Sequence, residues 1–133
     1  MKVQRKKQLS VYLENRAGAL ADLCNIISDK AINLYGICAI DTIEEAVLRI
    51  VPTDAAAARA ALEAKGHRVI ETEVLLVELP NVPGATGKMA SSLAAKGVNI
   101  DYIYASAHEG EPKTVLILRT QKPAEAEEIL AAS

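Results

Sequence analysis

Val74-Leu75-Leu76-Val77-Glu78-Leu79 runs into Pro80-Asn81-Val82-Pro83-Gly84, and Lys96-Gly97-Val98-Asn99-Ile100 follows a short amphipathic stretch. The apolar run bounded by turn formers predicts a strand, and the cluster of Pro, Asn and Gly predicts a tight turn. Met89, Ala90, Leu93 and Ala94 recur at helical spacing and give one apolar face. Gly97 is placed to end that helix, so the chain turns back into a second strand from Asn99 to Ser106.

The same pattern occurs earlier. Aligning Gly18 with Gly84 sets an offset of 66 residues that holds without a gap from Leu9/Leu75 to Ala39/Ala105. The matched stretch includes the identities Leu9/Leu75, Val11/Val77, Leu13/Leu79, Asn15/Asn81, Gly18/Gly84 and Asn33/Asn99, which indicates an internal duplication. In the first copy Leu9 to Leu13 alternates as a strand, and Leu20, Leu23, Cys24 and Ile27 form the helical face. Asn33 to Ile40 is its second strand.

Third strands are expected over Ala46 to Val51 and Thr114 to Arg119, each reached through a polar turn. Thr53 or Asp54 can cap a helix over Ala55 to Lys65, and Pro123 suits the first turn of a last helix ending near Leu130. Arg68 to Thr72 supplies a fourth strand to the first copy. The second copy has none after its last helix, so its sheet is expected to be one strand short. The fold class is α+β, with units over 1–72 and 73–133, antiparallel sheets and helices on one face. An unpaired edge of that kind is usually covered, which predicts a homodimer.

Hydrophobic residues make up 50% of the chain and charged residues 24%, enough to build a core. With Trp and Phe absent, that core is aliphatic. The formal net charge of −2 gives no general attraction for nucleic acid, and the basic cluster Lys2, Arg5, Lys6 and Lys7 reads as a solubilising lead-in to the first strand. No stretch reads as a signal peptide or membrane span, so a cytoplasmic protein is expected. Cys24 and Cys38 have no metal or redox spacing and are read as packed thiols. His67 and His108 lack clustered ligands, which predicts no metal site, and Tyr102 and Tyr104 are read as packing residues. Nucleophile–base pairs, phosphate loops and paired carboxylates are not recognisable, so no enzyme activity and no cofactor are expected.

The residues that can carry chemistry lie in the two turns, Glu14-Asn15-Arg16-Ala17-Gly18 and Pro80-Asn81-Val82-Pro83-Gly84. Glycine at a helix mouth lets a ligand approach the backbone, and the free N–H groups there favour a carboxylate. The alternative is that Asn15 and Asn81 stabilise their turns and the glycines only permit them. Asn33 and Asn99 have the same two readings, as a turn into the strand or as a source of carbonyls for an ammonium group.

Strand, N-x-x-G turn, helix and G-V-N-I strand together resemble the ACT domain family of amino-acid-sensing regulatory modules, over about Lys7 to Ala131. The resemblance implies two tandem ferredoxin-like βαββαβ units and a small ligand, an amino acid, at an interface between units. Carried over by position, its contacts are Asn15, Arg16, Gly18, Ala19, Leu20, Asn33 and Leu34 in the first copy, and Asn81, Pro83, Gly84, Ala85, Thr86, Asn99 and Ile100 in the second. The first copy departs from the pattern with Ala17 where the second has Pro83. The implied role is regulatory and non-catalytic; the competing role is a structural subunit that docks a protein partner through an open sheet face.

Overall fold

Alternating apolar residues make strand β1 (Lys2–Glu14), whose odd positions Leu9, Val11 and Leu13 are buried. The computed structural model describes residues 1–41 and 45–133. After β1 come α1 (Ala19–Ser28), β2 (Leu34–Asp41), β3 (Glu45–Pro52), α2 (Ala55–Ala64), β4 (Val69–Pro80), α3 (Ala85–Ala94), β5 (Tyr102–Ser106), β6 (Lys113–Arg119) and α4 (Pro123–Ala131). The expected turn between β2 and β3 includes residues 42–44, which lie outside the described residues.

The strands are hydrogen-bonded in the order β2-β3-β1-β4-β6-β5, and the chain forms two compact units. One unit is Lys7–Thr72; the other joins Met1–Lys6 to Glu73–Ser133. In the first, β1 pairs antiparallel with β3 through Leu9↔Ile50 and Val11↔Leu48, and β3 pairs with β2. In the second, β4 pairs antiparallel with β6 through Leu75↔Leu118 and Val77↔Leu116, and β6 pairs with β5. Both follow the strand order of a ferredoxin-like βαββαβ unit.

The second unit obtains its fourth strand from the other end of the chain. Lys2–Lys6 of β1 lies beside β4, where a strand after α4 would be. Met1 and Val3 pack against the core of this unit, and the Met1 nitrogen donates to the Ser133 carbonyl at 3.0 Å. Two expectations are corrected: the basic segment is a strand, not a solubilising lead-in, and the second sheet is not a strand short. A homodimer therefore loses the unpaired edge that suggested it.

Matched positions build matched cores. Leu23, Ile27 and Ile32 of the first unit correspond to Met89, Leu93 and Val98 of the second, and all are buried. Burial of each of the larger side chains stabilises by about 1.5–3 kcal/mol, and Leu23→Ala would cost about 2–5 kcal/mol. Asp54 is the residue that caps α2, accepting from Ala57 N–H at 3.0 Å. Strand β5 starts at Tyr102, later than the expected Asn99: its pairing with β6 begins at Tyr102↔Arg119, and the chain bends at Asp101 just before it.

Candidate functional site

Both strand-to-helix turns place their glycine at positive φ, 90° at Gly18 and 87° at Gly84, a conformation that side chains disfavour. Neither helix start has a side-chain cap. The backbone bonds match: Ala19 and Ala85 N–H donate to Arg16 and Val82 carbonyls at 3.3 Å, and Asp22 and Lys88 N–H to Gly18 and Gly84 carbonyls at 2.9 Å. Each mouth thus presents first-turn N–H groups and the positive end of a helix.

The side chains around the two mouths differ. At α1, Arg16 folds across the turn: its Nε pairs with Glu14 at 3.0 Å, its Nη1 donates to the Ala17 carbonyl at 3.3 Å, and its Nη2 is 3.7 Å from Asp22. A Cβ built on Gly18 would meet Arg16 Nη1 at 3.7 Å, whereas one on Gly84 would meet nothing within 4 Å. At α3 the residue matched to Arg16 is the exposed Val82, and the one matched to Asp22 is Lys88. The local charge is reversed at that helical position.

The α3 mouth opens onto a groove of about 750 Å³ within the second unit. Pro83, Gly84 and Ala85 line it, together with Val82, Lys88 and, from the strands, Lys2, Glu78 and Lys113. Glu78 and Lys113 pair at 3.1 Å. Lys88 forms no ion pair among the described residues, which leaves it available to an anion.

A sequence family described as an ACT domain pair matches residues 3–133. The chain belongs to the ACT domain family. Among solved structures, this ACT pair is similar to a protein of Bacteroides thetaiotaomicron at 31% identity, with 98% of this chain and 89% of that chain covered and a TM-score of 0.90. It also shares its fold with the ligand-free regulatory subunit of aspartate kinase from Thermus thermophilus, at 17% identity, 99% and 96% coverage and a TM-score of 0.74. The corresponding subunit from Thermus flavus is 20% identical, with 98% and 92% coverage and a TM-score of 0.68. No curated protein matches the sequence significantly.

The other residues expected in the ACT ligand site have different surroundings. Asn81 Nδ2 donates to the carbonyls of His108 and Glu111, at 3.0 and 2.9 Å, and so ties the β5–β6 loop to the turn. Thr86 is exposed on α3, and neither it nor Asn81, Asn99 or Ile100 is among the residues lining the groove. Asn99 Nδ2 donates to Asp101 at 3.2 Å, while Ile100 packs on the core. In the first unit the Asn33 carbonyl accepts from Thr53 N–H at 2.9 Å and its side chain from Leu34 N–H at 2.8 Å, and Leu34 packs on the core. Asn15 and Leu20 are exposed, and Ala19 is buried.

Lys88, Val82 and Lys2 were not expected at the site. Lys88 was legible from the repeat, since Asp22 holds its place in the first copy; Lys2 was not, because it arrives on a strand from far along the chain. Cys24 and Cys38 are half-buried free thiols. Among the described residues no group of three His, Cys, Asp or Glu is arranged to hold a metal ion, and no helix is long and apolar enough to cross a membrane.

Proposed function

We propose that this ACT pair is a non-catalytic regulatory module that binds a free amino acid in the groove at the mouth of α3. The observation that carries the reading is the conjunction of an uncapped helix start, the Gly84 approach with no atom in front of it, and an available Lys88 on one groove wall. A carboxylate suits the positive end of α3 and the lysine together. The fold shared with aspartate kinase regulatory subunits supports a regulatory role, exerted on a separate protein partner.

A thermal-shift screen of the twenty common L-amino acids tests the reading. A reproducible rise in melting temperature with one of them is expected. Silence from all of them would favour the structural subunit that docks a partner without a ligand.

A further inference from the structure

The groove at the α3 mouth has an uneven chemistry. Among the side chains that line it the cations are Lys2, Lys88 and Lys113, and the acid is Glu78, already 3.1 Å from Lys113. Most of the remaining wall is apolar, built by Met1, Leu79, Pro80, Val82, Pro83 and Pro112. Val82 is 58% exposed, a large uncovered apolar side chain at the very turn that frames the helix start. In the first copy that position is Arg16, held in ion pairs with Glu14 and Asp22.

We infer that the groove selects an α-amino acid whose side chain is apolar and uncharged, an inference that rests on the amino-acid reading of the groove. The ligand carboxylate pairs with Lys88 at the positive end of α3, the ammonium is balanced by Glu78, and the side chain covers Val82, Pro83 and the apolar wall around them. With Glu78 used for the ammonium, the described residues of the wall offer no second carboxylate side chain to the cationic side chain of lysine or arginine. The side chain of aspartate or glutamate would have to leave water for a proline and valine surface, and the exposed Lys2 and Lys113 offset that desolvation only weakly. An apolar side chain instead gains from every part of the wall it covers.

The volume of about 750 Å³ sets no tight upper limit on size, so selection is by polarity and both aliphatic and aromatic side chains belong to the class.

The test is a thermal-shift series on the full chain and on Lys88→Glu, an exposed change that the fold tolerates. The probes are L-valine, L-leucine, L-isoleucine, L-methionine, L-phenylalanine, L-lysine, L-arginine, L-aspartate and L-glutamate, with the carboxamide of whichever acid shifts. At least one of the first five is expected to raise the melting temperature, with the charged four and the carboxamide inert. Lys88→Glu should weaken that ligand by about tenfold or more, the scale of a lost charge-assisted bond. A larger shift with a charged amino acid overturns the selectivity and leaves the amino-acid reading standing. Silence from all nine overturns the selectivity, and silence from all twenty common amino acids overturns the amino-acid reading with it. Equal shifts in wild type and Lys88→Glu overturn the placement of the ligand in this groove.

Discussion

Arg5 Nε lies 3.0 Å from a Glu127 carboxylate oxygen, so a residue of the β1 segment 2–6 is held by helix α4 of the second unit. Its Nη1 also donates to Glu73 at 3.3 Å. The hydrogen bond to Glu73 and the nearby Glu127 charge raise the pKa of a guanidinium that is protonated in any case. Such exposed pairs fix register and alignment more than they stabilise.

The stabilisation of this segment comes instead from Met1 and Val3 on the core. Val3→Ser should lower the unfolding free energy by about 1–2 kcal/mol, and Arg5→Ala should change it little. Urea denaturation measures both. A wild-type midpoint for Val3→Ser would show that residues 2–6 are not part of the folded unit.

The duplication was legible because its core positions recur in register, and the helices because their apolar residues repeat on one face. The strand at residues 2–6 was not. In the second unit it is the outermost strand, where charged side chains are the usual protection of an edge, and Val3 is its one large apolar residue between Lys2 and Lys6. Its composition therefore reads as a polar terminus. Of the residues that line the groove, only Pro83, Gly84 and Ala85, whose backbone forms the mouth, were among those expected from the sequence. The strand residues of the groove depend on topology, which spacing along the chain does not encode.

Ala31 and Gly97 hold the same position after α1 and α3, and both have positive φ, 57° and 73°. Each lets the chain leave its helix with the following N–H bonded back, Ile32 to the Ile27 carbonyl at 3.3 Å and Val98 to the Leu93 carbonyl at 3.0 Å. Alanine is strained there by about 1–2 kcal/mol, while glycine adds about 0.5–1 kcal/mol of unfolded-state entropy to be lost. Ala31→Gly should therefore raise stability by about 0.5 kcal/mol, since Ala31 is exposed and no packing is lost. A lower melting temperature would contradict this assignment.

Asn81→Ala separates the two readings of the matched asparagines. Removing its amide leaves the His108 and Glu111 carbonyls without their donor, at a cost of about 1–2 kcal/mol. The turn and the β5–β6 loop should exchange amide hydrogens faster, while the ligand-induced thermal shift persists. Loss of the shift in a folded Asn81→Ala protein would mean that the side chain touches the ligand.

Gly84→Asp probes the helix mouth most directly. With φ at 87° any side chain is strained, and Gly84→Ala isolates that strain because its methyl enters open space. The alanine variant should lose about 1 kcal/mol of intrinsic stability. Aspartate adds a negative charge where the ligand carboxylate is expected, although the same charge interacts favourably with the start of α3 and offsets part of the strain. Ligand at about one hundred times its dissociation constant should stabilise the wild type by about 2.7 kcal/mol, and Gly84→Asp should show little of that gain. Gly18→Asp has a different outcome. Its new carboxylate would stand beside Arg16, whose Nη1 is 3.7 Å from the Cβ position, and so join the Glu14 and Asp22 ion pairs without meeting a ligand. It should keep the full ligand-induced shift. The comparison is read from melting curves of the three variants with and without the amino acid that shifts the wild type. Loss of the shift in Gly18→Asp with retention in Gly84→Asp would move the site to the first unit.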